Sequence, residues 1–186
     1  IAQWIIDQCG PGQGPTTIKP VMVEARVPFD DNGNPTLDDR YNTPHRFTVQ
    51  VNYPNDVLME ITSEGRNGIL VEGTQGRIFV NRGTIAGKPI EELENNPLPG
   101  GWLEDMYGGP VVEHVNNFFD CIASRKKPAS DVLSHVASIN TCHLSNIAIR
   151  LNRQLQWDAI TQTIKDDAVA NAMLKRDFRK GYEIEL

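Results

Sequence analysis

The sequence predicts an α+β fold in which a mostly antiparallel, open sheet is packed against helices on one face. Two observations support this prediction. Between His45 and Arg82, four short apolar segments follow one another with tight turns between them, which is the pattern of an antiparallel meander. From Pro110 onward, apolar residues recur at the spacing of an α-helix instead. With 186 residues and no internal repeat of fixed period, we expect a single domain over residues 1–186.

The chain opens on an amphipathic stretch, IAQWIIDQCGPG, which predicts a short helix that ends at Gly10. A helix that begins at Ile1 has no preceding residue to cap its first amide groups. We therefore expect its first turn to lie upstream, in a longer protein of which this chain is a fragment. The next stretch, TTIKPVMVEARV, predicts a strand with Val21 and Val23 on one face.

A polar, turn-rich segment of residues 28–44 follows, PFDDNGNPTLDDRYNTP, and it is long for a connection. Segments of this length in a compact domain are usually functional or mobile. Each of the four apolar segments after it is short enough for one strand. These predicted strands are HRFTVQVNY, DVLMEITSE, NGILVEGT and GRIFVNRG.

The second half of the chain predicts helices. The string GGPVVEHVNNFFDCIASRKKP has Pro110 in a position suited to a first helical turn. Ser130 or Asp131 can cap the next helix, whose apolar positions run to Leu151. The string LQWD suits a short strand or a docking turn. A last helix is predicted in DDAVANAMLKR, where acidic residues come first and basic residues last, as the helix dipole favours.

Composition excludes several function classes. The net charge of −6 argues against a general surface for nucleic acid or acidic lipid. No apolar run approaches the ~18 residues of a membrane span. The three cysteines are too few and too scattered for a disulfide framework, and they leave the cellular compartment undecided.

One apolar stretch contains three residues of metal-ligand type: His135, Cys142 and His143. His135 and Cys142 share a helix face but are separated by ~10.5 Å along the axis, and no pair has the i, i+4 spacing of helical zinc sites. We interpret all three as core or half-buried helix residues and predict that the chain binds no metal. Cys121 falls late in a predicted helix and is interpreted as a buried thiol.

Two further patterns are interpreted as structural. The glycine-rich string GPGQG follows a helix, whereas a phosphate loop follows a strand, so we interpret it as a connector. The acidic residues of the long loop could form an acid/base pair or a cation site. Solvated loop charge is the simpler interpretation of these four residues, Asp30, Asp31, Asp38 and Asp39.

Nearly the whole chain resembles the C-terminal domain of the Gfo/Idh/MocA family of nicotinamide-dependent oxidoreductases, especially a bacterial branch with an extended C-terminal tail. The matching strings, in order, are NGILVEGTQGRIFVNRG, FFDCIASRKKPASDV, HLSNIAIRLNRQLQWD and ANAMLKRDFRKGYEI. The resemblance implies an N-terminal Rossmann domain with a Gly-rich loop and a Glu-Lys-Pro lysine. Neither motif occurs in this chain, and the family's His/Asp motif would end just upstream of Ile1. We therefore expect no catalytic and no cofactor-binding residues here, with NAD or NADP implied for the parent protein.

The resemblance implies a role in a sugar or polyol oxidoreductase, in which this domain completes the substrate pocket and pairs subunits through its sheet face. We expect a homodimer or a higher oligomer, and a chain that is inactive alone. The candidate substrate-binding residues are Arg40, Tyr41 and His45, because they donate hydrogen bonds and a cation. Two alternatives stay open. The loop can be exposed without any ligand, and the fold can serve a non-enzymatic carbohydrate-binding or protein-interaction module.

Overall fold

The computed structural model describes residues 1–93, 95–102, 104 and 109–183. It confirms the α+β class, with antiparallel sheets and helices. The helices are α1 (Ala2–Ile5), α2 (Lys88–Leu93), α3 (His114–Ser124), α4 (Val132–Leu151) and α5 (Ala168–Ala172). The strands are β1 (Thr17–Glu24), β2 (Arg46–Asn52), β3 (Leu58–Thr62), β4 (Ile69–Gly73), β5 (Gly76–Val80), β6 (Ile85–Ala86), β7 (Leu155–Asp158) and β8 (Thr163–Ile164).

The chain separates into two compact units. One consists of Ile1–Gly65 with Val132–Leu186, and the other of Arg66–Asp131. The expectation of a single domain over residues 1–186 stays a prediction. Among the residues that the structure describes, no helix has both the length and the apolar character that crossing a membrane requires.

The first unit is built on a five-stranded antiparallel sheet with the order β3-β2-β1-β7-β8. Its inward face packs against α4, because the cross-strand row of Ile18, Val51 and Met59 points toward that helix. Ile18 and Val51 are fully buried, and Leu144 of α4 is in the same core. The core of this unit is therefore a single helix-on-sheet layer.

The inward face of β1 differs from the prediction. Val21 was expected to share a face with Val23, but Val21 is 53% exposed. The register of β1 against β2 shifts between Pro20 and Met22, so one extra residue is inserted into β1. A bulge of this kind changes the alternation of faces along a strand. The inward residues of β1 are consequently Ile18 and Val23, on either side of the bulge.

The opposite face of this sheet is mainly polar. Lys19, Gln50 and Glu60 form one cross-strand row on it. In the next row, the hydroxyl groups of Thr48 and Thr62 are 3.0 Å apart. Polar residues on one face and apolar residues on the other are typical of an antiparallel sheet that is solvated on one side.

The second unit contains a three-stranded antiparallel sheet with the order β4-β5-β6, together with α2 and α3. The four strands predicted between His45 and Arg82 are all present, as β2, β3, β4 and β5. The prediction of one continuous meander was wrong, because the β2–β3 and β4–β5 hairpins belong to different sheets. Helix α3 begins at His114 rather than near Pro110, since Glu113 still has extended dihedral angles and acts as its N-cap.

A buried polar network ties the start of the chain to α4 and to the sheet. The side-chain amide of Gln3 donates to the carbonyl oxygens of Gln8 at 2.7 Å and Ala137 at 3.2 Å. Its Oε1 accepts hydrogen bonds from Tyr53 Oη at 3.2 Å and from Thr141 Oγ1 at 2.7 Å. Gln3, Tyr53 and Thr141 are all at most 4% exposed. The network therefore replaces water for several groups that would be costly to bury unpaired.

Tyr53 makes the stability of this network dependent on pH in the alkaline range. Burial raises the pKa of Tyr53 from 10.0 to about 12. Because the folded-state pKa is the higher one, this stabilisation is complete below pH ~10 and is lost as the pH rises toward ~12. We expect a loss of about 2–3 kcal/mol over that window in urea unfolding, and Tyr53→Phe should not show it. If the free energy of unfolding of the two proteins changed with pH in the same way, the attribution of this loss to Tyr53 would be wrong.

Candidate functional site

The first part of the long loop is a closed hairpin. Phe29 and Pro35 form a β-bridge, and the backbone N of Thr36 donates to the carbonyl of Pro28 at 2.9 Å. Asp30 organises the tip, because its Oδ1 accepts from the backbone N of Asn34 at 2.7 Å and of Asn32 at 2.9 Å. The bond from Asn34 is the largest cause that lowers the pKa of Asp30. This carboxylate therefore acts as a turn residue.

The hairpin is docked on the C-terminal end of α4. Arg150 Nε donates to the carbonyl oxygen of Gly33 at 2.6 Å. Gly33 is buried with a φ of +72°, a conformation that favours glycine. A Cβ atom added there would lie 3.1 Å from Met173 Cε and 3.2 Å from Leu151 Cδ2. The hairpin backbone thus lies as close to the helix as a glycine allows.

Residues 37–45 leave the hairpin as an exposed arm that contains the three predicted site residues, with Arg40 and Tyr41 in its middle. Tyr41 is 74% exposed. Arg40 is also exposed and forms a bidentate pair with Asp39, with distances of 2.7 Å and 2.9 Å. The hydrogen bond from Arg40 holds the pKa of Asp39 below its ordinary value. Arg40 is therefore a charged group in solvent whose resting partner is the adjacent carboxylate.

His45 lies at the far end of the arm, where the chain enters β2. Its backbone N donates to the carbonyl of Glu24 at 3.0 Å, and its Nε2 is 3.8 Å from Glu24 Oε2. Arg46 donates to Glu24 Oε1 at 2.8 Å and to Glu64 Oε1 at 3.0 Å. The hydrogen bond to Glu64 is the largest cause that raises the pKa of Arg46. A charged row thus borders His45 at this end of the sheet.

The structure places the three predicted site residues on one arm but does not bring their side chains together. Within the described ranges, no hydrogen bond or ion pair joins Arg40, Tyr41 and His45 to one another. Their assignment to substrate binding stays a prediction. The arrangement can offer hydrogen-bond donors to a hydroxylated or acidic molecule that lies against the arm.

The glycine-rich segment does not fit a dinucleotide. Gly10 N donates to Gln13 Oε1 at 2.6 Å, so this amide is already paired within the loop. Gly14 is buried, and a Cβ added there would be 3.4 Å from Ala159 Cβ. The segment joins α1 to β1 and packs on the chain itself, whereas a phosphate loop leaves its amide groups open to the ligand.

The residues of metal-ligand type are located differently from the prediction. His135, Cys142 and His143 belong to α4, as expected, but all three are exposed rather than core residues. The buried positions between Thr141 and Leu151 are apolar or small instead, so the ligand-type residues lie on the outward side of the helix. In the part of the chain that the structure describes, no group of three side chains is arranged to hold a metal ion. The absence of bound metal stays a prediction.

Residues 18–184 match the family model described as "Oxidoreductase family, C-terminal alpha/beta domain". The chain belongs to the Gfo/Idh/MocA oxidoreductase family. Neither a curated protein nor a solved structure matches it. The match spans both compact units, so the two sheets and the loop between β1 and β2 are all parts of the family's C-terminal α/β domain. Gfo/Idh/MocA proteins are NAD(P)-dependent, which agrees with the resemblance of the individual strings.

Sequence reasoning missed several residues that shape the arm of this Gfo/Idh/MocA domain. Glu24 and Arg46 gave no signal, because charged residues at strand ends are common on any sheet. Arg150 is distant from the loop in sequence, and nothing local connects it to Gly33. The one available sign was Asn-Gly-Asn within residues 28–44, which marks a tight turn with a left-handed residue.

Proposed function

We propose that this domain supplies part of the substrate-pocket wall of an NAD(P)-dependent sugar or polyol oxidoreductase. The observation that supports the proposal is the exposed arm of residues 37–45, whose two ends are fixed. Thr36 is bonded to Pro28 at one end and His45 to Glu24 at the other. A segment held at both ends can present side chains at reproducible positions, as a binding surface requires.

The residue types on the arm suit a substrate with several hydroxyl groups or a carboxylate. The Arg40 guanidinium can exchange its bond to Asp39 for a bidentate bond to a substrate carboxylate. Tyr41 adds a hydroxyl donor and a ring face, and His45 adds a ring N–H. We assign these three side chains to the substrate and not to the nicotinamide cofactor. The chemistry of hydride transfer depends on a cofactor bound by another domain.

The test uses the full-length gene product with NAD and NADP and a panel of polyols and sugar acids. Tyr41→Phe, Arg40→Gln and His45→Gln should each raise KM by about tenfold while kcat stays within about twofold, because they remove contacts that bind substrate. Tyr182→Phe is the matched control, since Tyr182 is 72% exposed and lies outside the arm. Unchanged KM values in all three arm variants would refute the site.

The same measurements distinguish the proposed oxidoreductase role from its alternative, a non-enzymatic carbohydrate-binding or protein-interaction module. That alternative predicts polyol binding, or a partner protein, with no hydride transfer in the full-length product. For the 186-residue chain alone, we expect no calorimetric binding of NAD or NADP tighter than about 100 µM. The paired amide of Gly10 and the buried position of Gly14 support this expectation.

We also propose that the polar face of the five-stranded sheet pairs two copies of the chain. The row of Lys19, Gln50 and Glu60 on this face has both charge signs. Two such rows related by a two-fold axis can bring unlike charges together. These rows are polar, so the pairing would be sensitive to salt. Sedimentation that finds only monomer at tens of micromolar would refute it.

A further inference from the structure

One side chain, that of Arg150, joins the hairpin of residues 28–36 to α4 from the helix side. Its Nε–Gly33 O distance of 2.6 Å is short for an N–H···O bond, and the donor is charged. Its guanidinium carbon also lies 5.9 Å from the centre of the Phe29 ring. Arg150 thus contacts the hairpin at its tip and near its base.

Gly33 completes this contact from the hairpin side. Its added Cβ would be 3.3 Å from Arg150 Cβ, closer than most side chains tolerate. The carbonyl that Arg150 binds therefore belongs to a residue whose positive φ favours glycine, and an added side chain would displace either the hairpin or the side chains packed against it. The bond and the close approach depend on each other, because moving the backbone away from α4 would lengthen the bond.

Fixing Gly33 also fixes the start of the exposed arm. The hairpin is closed by the bonds from Thr36 to Pro28, through both its backbone N at 2.9 Å and its Oγ1 at 3.0 Å. A closed hairpin moves as one piece, so its tip and its closing residue move together. The arm begins at the next residue, Leu37, and reaches Arg40 and Tyr41 within four positions.

We propose that Arg150 is a positioning residue, which acts through the Gly33 carbonyl to place Arg40 and Tyr41 and so sets the affinity of the substrate site. This inference rests on the proposed function for its last step. The first step, the attachment of the hairpin, concerns the chain alone and can be measured without any substrate.

The structural test follows individual amide hydrogens by exchange NMR on the 186-residue chain. In Arg150→Gln, the hydrogen-bonded amides of Gly33, Asn34 and Thr36 should exchange about tenfold faster or more, which is the factor for losing one hydrogen bond from a charged donor. The amides of β1 and β2 should not change. Arg66→Gln is the matched control, because it removes the same charge from an arginine whose guanidinium carbon lies 4.4 Å from the centre of the Phe79 ring, in the unit that does not contain the hairpin.

A second variant keeps the test decisive if Arg150→Gln does not fold. Gly33→Ala leaves Arg150 in place and pushes the hairpin away from α4, so it should accelerate the same amides. Arg150→Lys should restore part of the protection, because a lysine keeps the positive charge and can still donate a hydrogen bond. Hairpin amides that exchange at the wild-type rate in both Arg150→Gln and Gly33→Ala would overturn the proposal.

The functional test measures KM and kcat of the full-length gene product. Arg150→Gln should raise KM by about tenfold with kcat within about twofold, and Arg150→Lys should recover part of the affinity. A loosened hairpin with unchanged KM, while Tyr41→Phe raises KM, would overturn the positioning role and leave the proposed function standing. If the arm variants also leave KM unchanged, the proposed site is refuted, and faster exchange would support the attachment alone.

Discussion

Replacing Ile18 with alanine should lower the free energy of unfolding by about 2–5 kcal/mol, the range for an isoleucine truncated in a packed core. Ile18 is fully buried in the core between the five-stranded sheet and α4. Its row on the inward face continues into Val51 and Met59, so the cavity left by the truncation lies among side chains from several strands. Urea unfolding of the purified chain measures the change.

The matched control lies three residues further along the same strand. Val21 is 53% exposed in the bulge, and Val21→Ala should change the free energy of unfolding by no more than about 0.5 kcal/mol. Without a bulge, alternation counted back from the inward-facing Val23 would bury Val21 and turn Ile18 outward. A large effect at Val21 together with a small one at Ile18 would show that the bulge, and the assignment of faces that depends on it, is wrong.

Gln3→Leu should lower the free energy of unfolding by about 3–5 kcal/mol, because it leaves several buried polar groups without their partners. The leucine keeps most of the volume, so the effect reports the lost hydrogen bonds rather than a cavity. Tyr53 Oη and Thr141 Oγ1 would each lose an acceptor, and the carbonyl of Gln8 would lose its donor.

A glutamine in the connector that follows α1 provides the control. Gln13 is exposed, and its Oε1 accepts from the backbone N of Gly10 at 2.6 Å within the loop. Gln13→Leu should cost no more than about 1 kcal/mol, since water can replace that bond. Equal effects of the two substitutions in urea unfolding would mean that the network around Tyr53 does not hold the start of the chain to α4.

Local sequence patterns predicted the elements of this fold well and their assembly less well. The four strands between His45 and Arg82 were predicted because alternation and tight turns are encoded within each segment. Their division between two sheets was not predicted, because the pairing of β2 and β3 into the larger sheet depends on β1 and β7, which are distant from them in the chain. The exposure of Val21 was missed for a related reason, since a bulge exists only relative to the partner strand.

In the candidate site, too, the features that depend on residues distant in the sequence could not be predicted. The length and polarity of residues 28–44 correctly marked a loop, and the glycine-rich string was correctly assigned as a connector. The division of that loop into a docked hairpin and an exposed arm was not predictable, because it depends on Arg150, which is far away in the sequence. For His135, Cys142 and His143, helical spacing identified the helix but not which of its sides faces the sheet.

Helix α4 limits how the chain can change in length. Thr141 binds the Gln3 network, and Arg150, nine positions later, binds Gly33. At about 100° per residue, these two contacts lie on nearly opposite sides of the helix. Removing or adding one residue between them would rotate one contact by about 100° relative to the other, so both could not form. Insertions and deletions should therefore be excluded from residues 142–149 of homologous chains.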